Sequence, residues 1–193
     1  MNNFTFGDDE RQYYETLCGG AGASAAAAGA SAVHSHMTNS RLTDPEILER
    51  RFPVRLECFA VRPGSGGAGR RRGGDGAVRR LRFLAPMQAA LLSTRRTFAP
   101  QGICGGHAAK LGLERLIGSN GAARDLPGCF SIRVQAGDCI EIQTPGGGGF
   151  GDPDEPTGQI LEEAAILTTE LYKLRRRLPG KDRPWRSPHS SPP

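Results

Sequence analysis

Between residues 2 and 144 the chain is built from short runs in which apolar and polar positions alternate. A two-residue period predicts half-buried strands. Such runs occupy residues 2–7, 13–17, 54–62, 76–84, 89–97, 111–117, 130–135 and 139–144. Turn residues punctuate them: Ala85-Pro86-Met87, the Asn-Gly step of Ser119-Asn120-Gly121, and Gln135-Ala136-Gly137-Asp138. The strand pattern is already under way at residue 2, which gives the expectation that Met1 is an internal methionine of a longer chain.

Two stretches depart from that period. Thr43-Asp44-Pro45-Glu46 reads as a helix start, with Thr43 as the cap, Pro45 in the first turn and Glu46 closing a T-x-x-E box. Arg50 and Arg51 suit its last turn and Pro53 stops it. Further on, Ile160, Ala164, Leu167, Leu171, Leu174 and Leu178 recur at spacings of 4, 3, 4, 3 and 4, the stripe of an amphipathic helix over residues 158–178. Residues 23–32 are Ala, Gly and Ser and fit either a helix or a flexible loop. The expected fold is therefore α+β, mostly β: short antiparallel strands with glycine-rich loops, one short internal helix and a long C-terminal helix. The expected division is a domain over residues 1–153, a linker and helix over 154–180, and a disordered tail, rich in Pro, Ser and Arg, over 181–193.

Composition changes this picture at one point. The 27 glycines gather at residues 19–22, 64–74, 102–106 and 146–151. No cluster is followed by the Lys-[Ser/Thr] of a phosphate loop, and none has the strand-before, helix-after setting of a dinucleotide fingerprint. Two readings stay open. The clusters are tight turns, or they meet and line a site with backbone N–H groups. In the second reading Arg70, Arg71 and Arg72 supply positive charge.

The net charge of +5 rests almost wholly on arginine. There is no interleaved aromatic platform and no zinc-finger spacing, so nucleic acid is not an expected partner. Five cysteines, odd in number and without a C-x-x-C pair, suit reduced thiols in the cytosol. The longest small-residue run, 21–32, is too short and too rich in Gly and Ser to span a bilayer, and residues 1–4 do not open a signal peptide.

Candidate chemistry concentrates at residues 34–49. His34 and His36 are spaced i, i+2 and share a face if the segment is extended. Two such imidazoles can bind a metal, move a proton or hold a polar ligand. Asn39 and Arg41 follow with the same spacing. An ordinary polar connection fits the same residues. Elsewhere there is no G-x-S-x-G elbow, no H-E-x-x-H and no paired-carboxylate spacing. Cys104 and His107 are near in sequence, but a buried thiol is the simpler reading.

Several of these stretches, in this order, resemble the hydantoinase B/oxoprolinase family. They are Met1-Asn2-Asn3-Phe4-Thr5-Phe6-Gly7, Tyr13-Tyr14-Glu15-Thr16-Leu17-Cys18-Gly19-Gly20-Ala21-Gly22, residues 34–49, residues 62–76, Thr94-Arg95-Arg96, and Thr144-Pro145-Gly146-Gly147-Gly148-Gly149-Phe150-Gly151-Asp152-Pro153. The wording of the 64–76 loop is most similar to the family's oxoproline-hydrolysing members. The resemblance covers residues 1 to about 153. It implies a cytosolic, dimeric enzyme of the glutathione cycle that opens 5-oxo-L-proline to L-glutamate, driven by ATP with Mg²⁺ and K⁺. A separate hydantoinase A region with an ATPase fold would phosphorylate the lactam oxygen and bind most of the nucleotide. The hydantoinase B region would support hydrolysis, with His34, His36, Asn39 and Arg41 lining the site, His36 holding or activating water, and Arg70, Arg71, Arg72, Gly147 and Gly148 contacting phosphate or the partner region. No metal ligands are assigned.

The sequence departs from the family pattern by lacking the ATPase region and the front half of the hydantoinase B region, and by its residues after 153. This chain alone is therefore expected to be inactive and not to hydrolyse ATP. Two other functions remain open. One is a non-catalytic interaction module with the 160–178 stripe as its binding element. The other is a hydantoinase B-type subunit acting on another lactam or hydantoin.

Overall fold

The structure, a computed structural model, describes residues 1–35 and 40–154. All of these fall in one unit, Met1–Glu155. In chain order the elements are β1 (Asn2–Gly7), β2 (Gln12–Thr16), α1 (Pro45–Arg51), β3 (Val54–Val61), β4 (Ala77–Phe83), β5 (Met87–Ser93), β6 (Leu113–Ile117), β7 (Ala123–Leu126), β8 (Cys129–Val134) and β9 (Cys139–Gln143). They form a four-stranded sheet in the order β2-β1-β5-β8 and a five-stranded sheet in the order β3-β4-β9-β6-β7. Every pairing is antiparallel.

Alternation decides which faces meet. In β4, Ala77, Arg79, Leu81 and Phe83 are buried; in β5, Met87, Ala89, Leu91 and Ser93 are. Leu81, Phe83, Met87, Ala89 and Leu91 of these, with Phe4 and Phe6 of β1 and Ile140 and Ile142 of β9, belong to one core. Phe6 stands at its centre, with its ring 5.0 to 5.8 Å from those of Phe4, Tyr13, Phe52 and Phe83. Leu48, fully buried, anchors α1 to this core.

The expected fold class needs correction. Among the described residues the architecture is two antiparallel sheets with one seven-residue helix, so they form a β structure and not the expected α+β arrangement. The stripe at 160–178 that suggested a long C-terminal helix lies outside the described residues. Helical periodicity marks an amphipathic face and says nothing about what the face packs on, so it does not set the class of the sheets before it.

Smaller corrections follow from local chemistry. The cap of α1 is Asp44, not Thr43: its carboxylate accepts from the Glu46 N–H at 2.9 Å. β5 stops at Ser93, four residues short of expectation, because Arg95 turns to positive φ (66°). β7 was missed because Ala123, Arg124 and Asp125 are exposed on an edge strand and only Leu126 is buried. Its pattern carries almost no apolar signal.

The glycine clusters form a second structural unit beside the sheets. Their segments run alongside one another, joined by main-chain hydrogen bonds. Residues 145–151 lie in the middle. The Pro145 carbonyl accepts from the Gly20 N–H at 3.0 Å. Gly147 donates to the Gly74 carbonyl and accepts from the Gly67 N–H, both at 2.9 Å. The Gly148 carbonyl accepts from the Ala23 N–H at 2.9 Å, and Gly149 exchanges bonds with His107 and Ile103 at 3.0 Å. Contacts recur every third residue: a Cβ on Gly146 would strike the Ser65 carbonyl, and one on Gly149 the Ala68 carbonyl. That is the period of a polyproline II-like helix of about three residues per turn. Without side chains, such strands approach closely enough to bond in several directions at once.

Candidate functional site

Asp75 fixes the longest glycine loop from inside. It accepts from the N–H groups of Ser65 (2.8 Å) and Gly66 (2.7 Å), and pairs with both terminal nitrogens of Arg72 at 3.1 and 2.6 Å. Burial pushes its carboxyl up, but the Arg72 pair and the two amides outweigh this and hold it down at about 2. The Ser65 hydroxyl donates to the Arg62 carbonyl at 2.8 Å. These bonds hold the loop as a connected polar frame.

A cavity of about 580 Å³ opens beside the central segment. Its walls are residues 19–22, Val33 and Ser35, Thr94 and Arg95, Pro100 and Gln101, and residues 145–148, with Met1, Asn2 and Leu17 closing one end. This volume lies within the usual range of small-molecule sites, about 300–1,000 Å³. Main chain makes much of the lining, so the site offers fixed N–H and C=O groups.

The expected site residues are distributed unevenly around it. Gly147 and Gly148 line the cavity. His34 does not: in an extended segment Val33 and Ser35 face the cavity and His34 points the other way. Its Nδ1 is shielded from solvent with no hydrogen bond among the described residues. Arg41 is exposed ahead of α1, and His36 and Asn39 lie outside the described residues. Of the three arginines, Arg72 is committed to Asp75, Arg71 donates from Nε to the Ala25 carbonyl at 3.0 Å, and Arg70 is half-buried. None of the three lines the cavity. Cys104 is exposed at positive φ (53°), and His107 contributes its main chain to the bundle.

The sequence gives no separate site role to Arg95, whereas residues 19–22 are among the glycine clusters expected either to turn or to line a site, and they do line the cavity. Arg95 sits in the left-handed region, uncommon for a side-chain-bearing residue and frequent at functional sites. It is held there because the Thr94 N–H donates to the Met1 carbonyl and the Gly112 N–H donates to the Arg95 carbonyl, both at 3.0 Å. A Thr-Arg-Arg run after a strand was the only trace of it in the sequence.

Among the described residues no group of three or more His, Cys, Asp or Glu side chains gathers as a metal site. None of their helices is long and apolar enough to cross a membrane.

The hydantoinase B/oxoprolinase family model matches residues 1–153. The chain belongs to that family. It is 48% identical over 154 residues, 80% of its length, to a 5-oxoprolinase of Dictyostelium discoideum. It is 48% identical over 151 residues, 78% of its length, to 5-oxoprolinase 1 of Arabidopsis thaliana. The chain spans 12% of the length of each of these relatives. Among solved structures, an ATP-dependent caprolactamase from Pseudomonas jessenii superposes with a TM-score of 0.65 at 25% identity, covering 85% of this chain and 31% of that one.

Proposed function

We propose that the chain is the C-terminal portion of an ATP-dependent 5-oxoprolinase of the cytosol, a hydrolase that converts 5-oxo-L-proline to L-glutamate in the glutathione cycle. The observation that carries this reading is the 48% identity to 5-oxoprolinases across 78–80% of the chain. The ATP-dependent caprolactamase adds support, since its name also describes opening of a cyclic amide.

ATP, Mg²⁺ and K⁺ belong in this reading to the complete enzyme. The described residues do not fit a nucleotide cradle. The amides of Gly147 and Gly149 are spent within the bundle, Arg72 is spent on Asp75, and no acidic group is gathered for a divalent ion. Phosphoryl transfer needs a phosphate cradle, a held metal and a positioned nucleophile together. A hydantoinase A-type ATPase region or subunit would supply them, in an enzyme that works as a homodimer. This chain alone is inactive in our reading.

For the hydrolytic half we assign His34, His36, Asn39 and Arg41 to handling water and polar substrate groups, with Arg70, Arg71 and Arg72 facing the partner region. Support for the first assignment is the His34 Nδ1, withdrawn from solvent and without a bond among the described residues, a state that costs free energy unless a partner completes it. The test supplies the complementary regions of the Dictyostelium enzyme as a separate chain and follows ADP release with 5-oxo-L-proline. Turnover should appear, and His36→Ala and Arg41→Ala should abolish most of it. Unchanged turnover in both variants contradicts the site assignment.

A second reading, a hydantoinase B-type subunit for another lactam or hydantoin, is favoured by the likeness to the caprolactamase. A substrate panel in the same assay separates the two.

A further inference from the structure

The cavity beside residues 145–148 has two main-chain groups aimed into it, and they are complementary. The Gly147 carbonyl accepts from the Gly67 N–H. A trans peptide places the N–H of the next residue on the opposite side. The Gly148 N–H therefore points away from the 65–68 segment, toward the cavity that Gly148 lines. By the same logic the Ala21 N–H donates to the Ala30 carbonyl, so the Gly20 carbonyl points away from Ala30, into the cavity that Gly20 also lines. Neither the Gly148 N–H nor the Gly20 carbonyl has a partner among the described residues.

The bundle explains why these groups are left over. A three-fold strand without internal hydrogen bonds turns its main-chain groups outward on several sides, so a central one can hold several neighbours. The central segment here touches the segments around residues 20–23, 65–68, 73–74, 101–103 and 107. The cavity lies between the 20–23 and 101–103 segments, where a further neighbour would go. Gly148 is buried, so its amide is a donor held in a shielded place.

Arg95 lines the same cavity, at strained φ and with no ion-pair partner among the described residues.

We infer that this cavity is the seat of a carboxylated cyclic amide: the lactam carbonyl accepts from the Gly148 N–H, the ring N–H donates to the Gly20 carbonyl, and the carboxylate pairs with Arg95. The substrate class rests on the function proposed above; the location rests on the unpaired groups. A lactam is a cis amide and presents C=O and N–H side by side, which suits a donor and an acceptor on adjacent walls. A ring amine such as proline has no ring carbonyl to offer Gly148 while its carboxylate pairs with Arg95. The carboxylate is the feature that Arg95 would select.

The test is a ¹⁵N-resolved titration of the 193-residue chain with 5-oxo-L-proline, 2-pyrrolidinone and L-proline. Both lactams should move the Gly148 amide downfield and saturably, while L-proline should not. Arg95→Gly, which keeps the positive φ at no steric cost, should weaken 5-oxo-L-proline about ten-fold, the scale of one charge-assisted bond. It should leave 2-pyrrolidinone within about two-fold by the same measure, and Arg95→Lys should restore part of the loss. No saturable shift at Gly148, an equal response to L-proline, or protection of the Gly148 amide by a strand of the complementary regions would each overturn the assignment. In the reconstituted enzyme, turnover with an unchanged KM in Arg95→Gly overturns this site and leaves the proposed function standing. Binding at Gly148 without any turnover does the reverse.

Discussion

Arg79 of β4 and Glu15 of β2 reach across from one sheet to the other and meet in a two-point ion pair, at 2.6 and 2.8 Å, with side chains 3% and 2% exposed. Tyr13 donates a third bond to the carboxylate at 3.0 Å, and the Arg79 guanidinium lies 5.4 Å from the centre of the Phe59 ring. Burial raises the Glu15 carboxyl, and Arg79 recovers only part of that. Arg79→Met therefore strands a buried carboxylate and should cost about 3–5 kcal/mol. Glu15→Leu combined with Arg79→Met should cost much less, because nothing charged is left unpaired. Urea denaturation of the three variants measures this. A carboxyl with a raised folded-state pKa gives stability below its unfolded pKa that is lost as pH rises. The Arg79→Met deficit should therefore shrink as the buffer is acidified from neutral.

Asp75 has the opposite sign. Its folded pKa of about 2 lies below the ordinary 3.8, so its contribution is present above about pH 3.8 and is lost as pH falls toward 2. Asp75→Asn keeps the shape, gives up the ion pair with Arg72 and weakens the bonds from Ser65 and Gly66. It should lower stability by about 1–3 kcal/mol at neutral pH. Melting curves at pH 7 and near pH 2.5 should show a large gap between parent and variant in the first and a small one in the second.

The glycine bundle gives a contrast between two substitutions of the same kind. A Cβ on Gly147 would drive into the Ala21 carbonyl, while one on Gly22 meets only the Gly148 carbonyl at 3.9 Å, ordinary contact. Gly147→Ala should fail to give folded protein or lose the slow-exchanging amides of the bundle. Gly22→Ala should stay within about 0.5 kcal/mol of the parent. Equal behaviour of the two would mean that the segments are not packed main chain to main chain.

The strands were legible where one face is buried and the other is not. β4 and β5 carry that contrast at every position; β7, exposed at three of four positions, carries none. The glycine clusters were legible as unusual but not as a bundle, because main-chain bonds between segments as distant as Gly67 and Gly147 leave no period in the side chains. For the same reason the cluster at 19–22 is legible as a possible lining but the Gly20 carbonyl is not, since a carbonyl is a group every residue possesses. Arg95 was hidden differently. Its backbone angle is imposed by bonds to Met1 and Gly112 on either side, and a sequence of three polar residues does not disclose that.

The measurement closest to the centre of the account compares the chain alone with the chain plus the complementary regions of the Dictyostelium 5-oxoprolinase, scoring L-glutamate and ADP together. Alone, the chain should form neither product. With the complementary regions, both should appear and depend on 5-oxo-L-proline. Steady ADP or glutamate formation by the repurified chain alone, or none in the reconstituted pair when each part is folded, would contradict it.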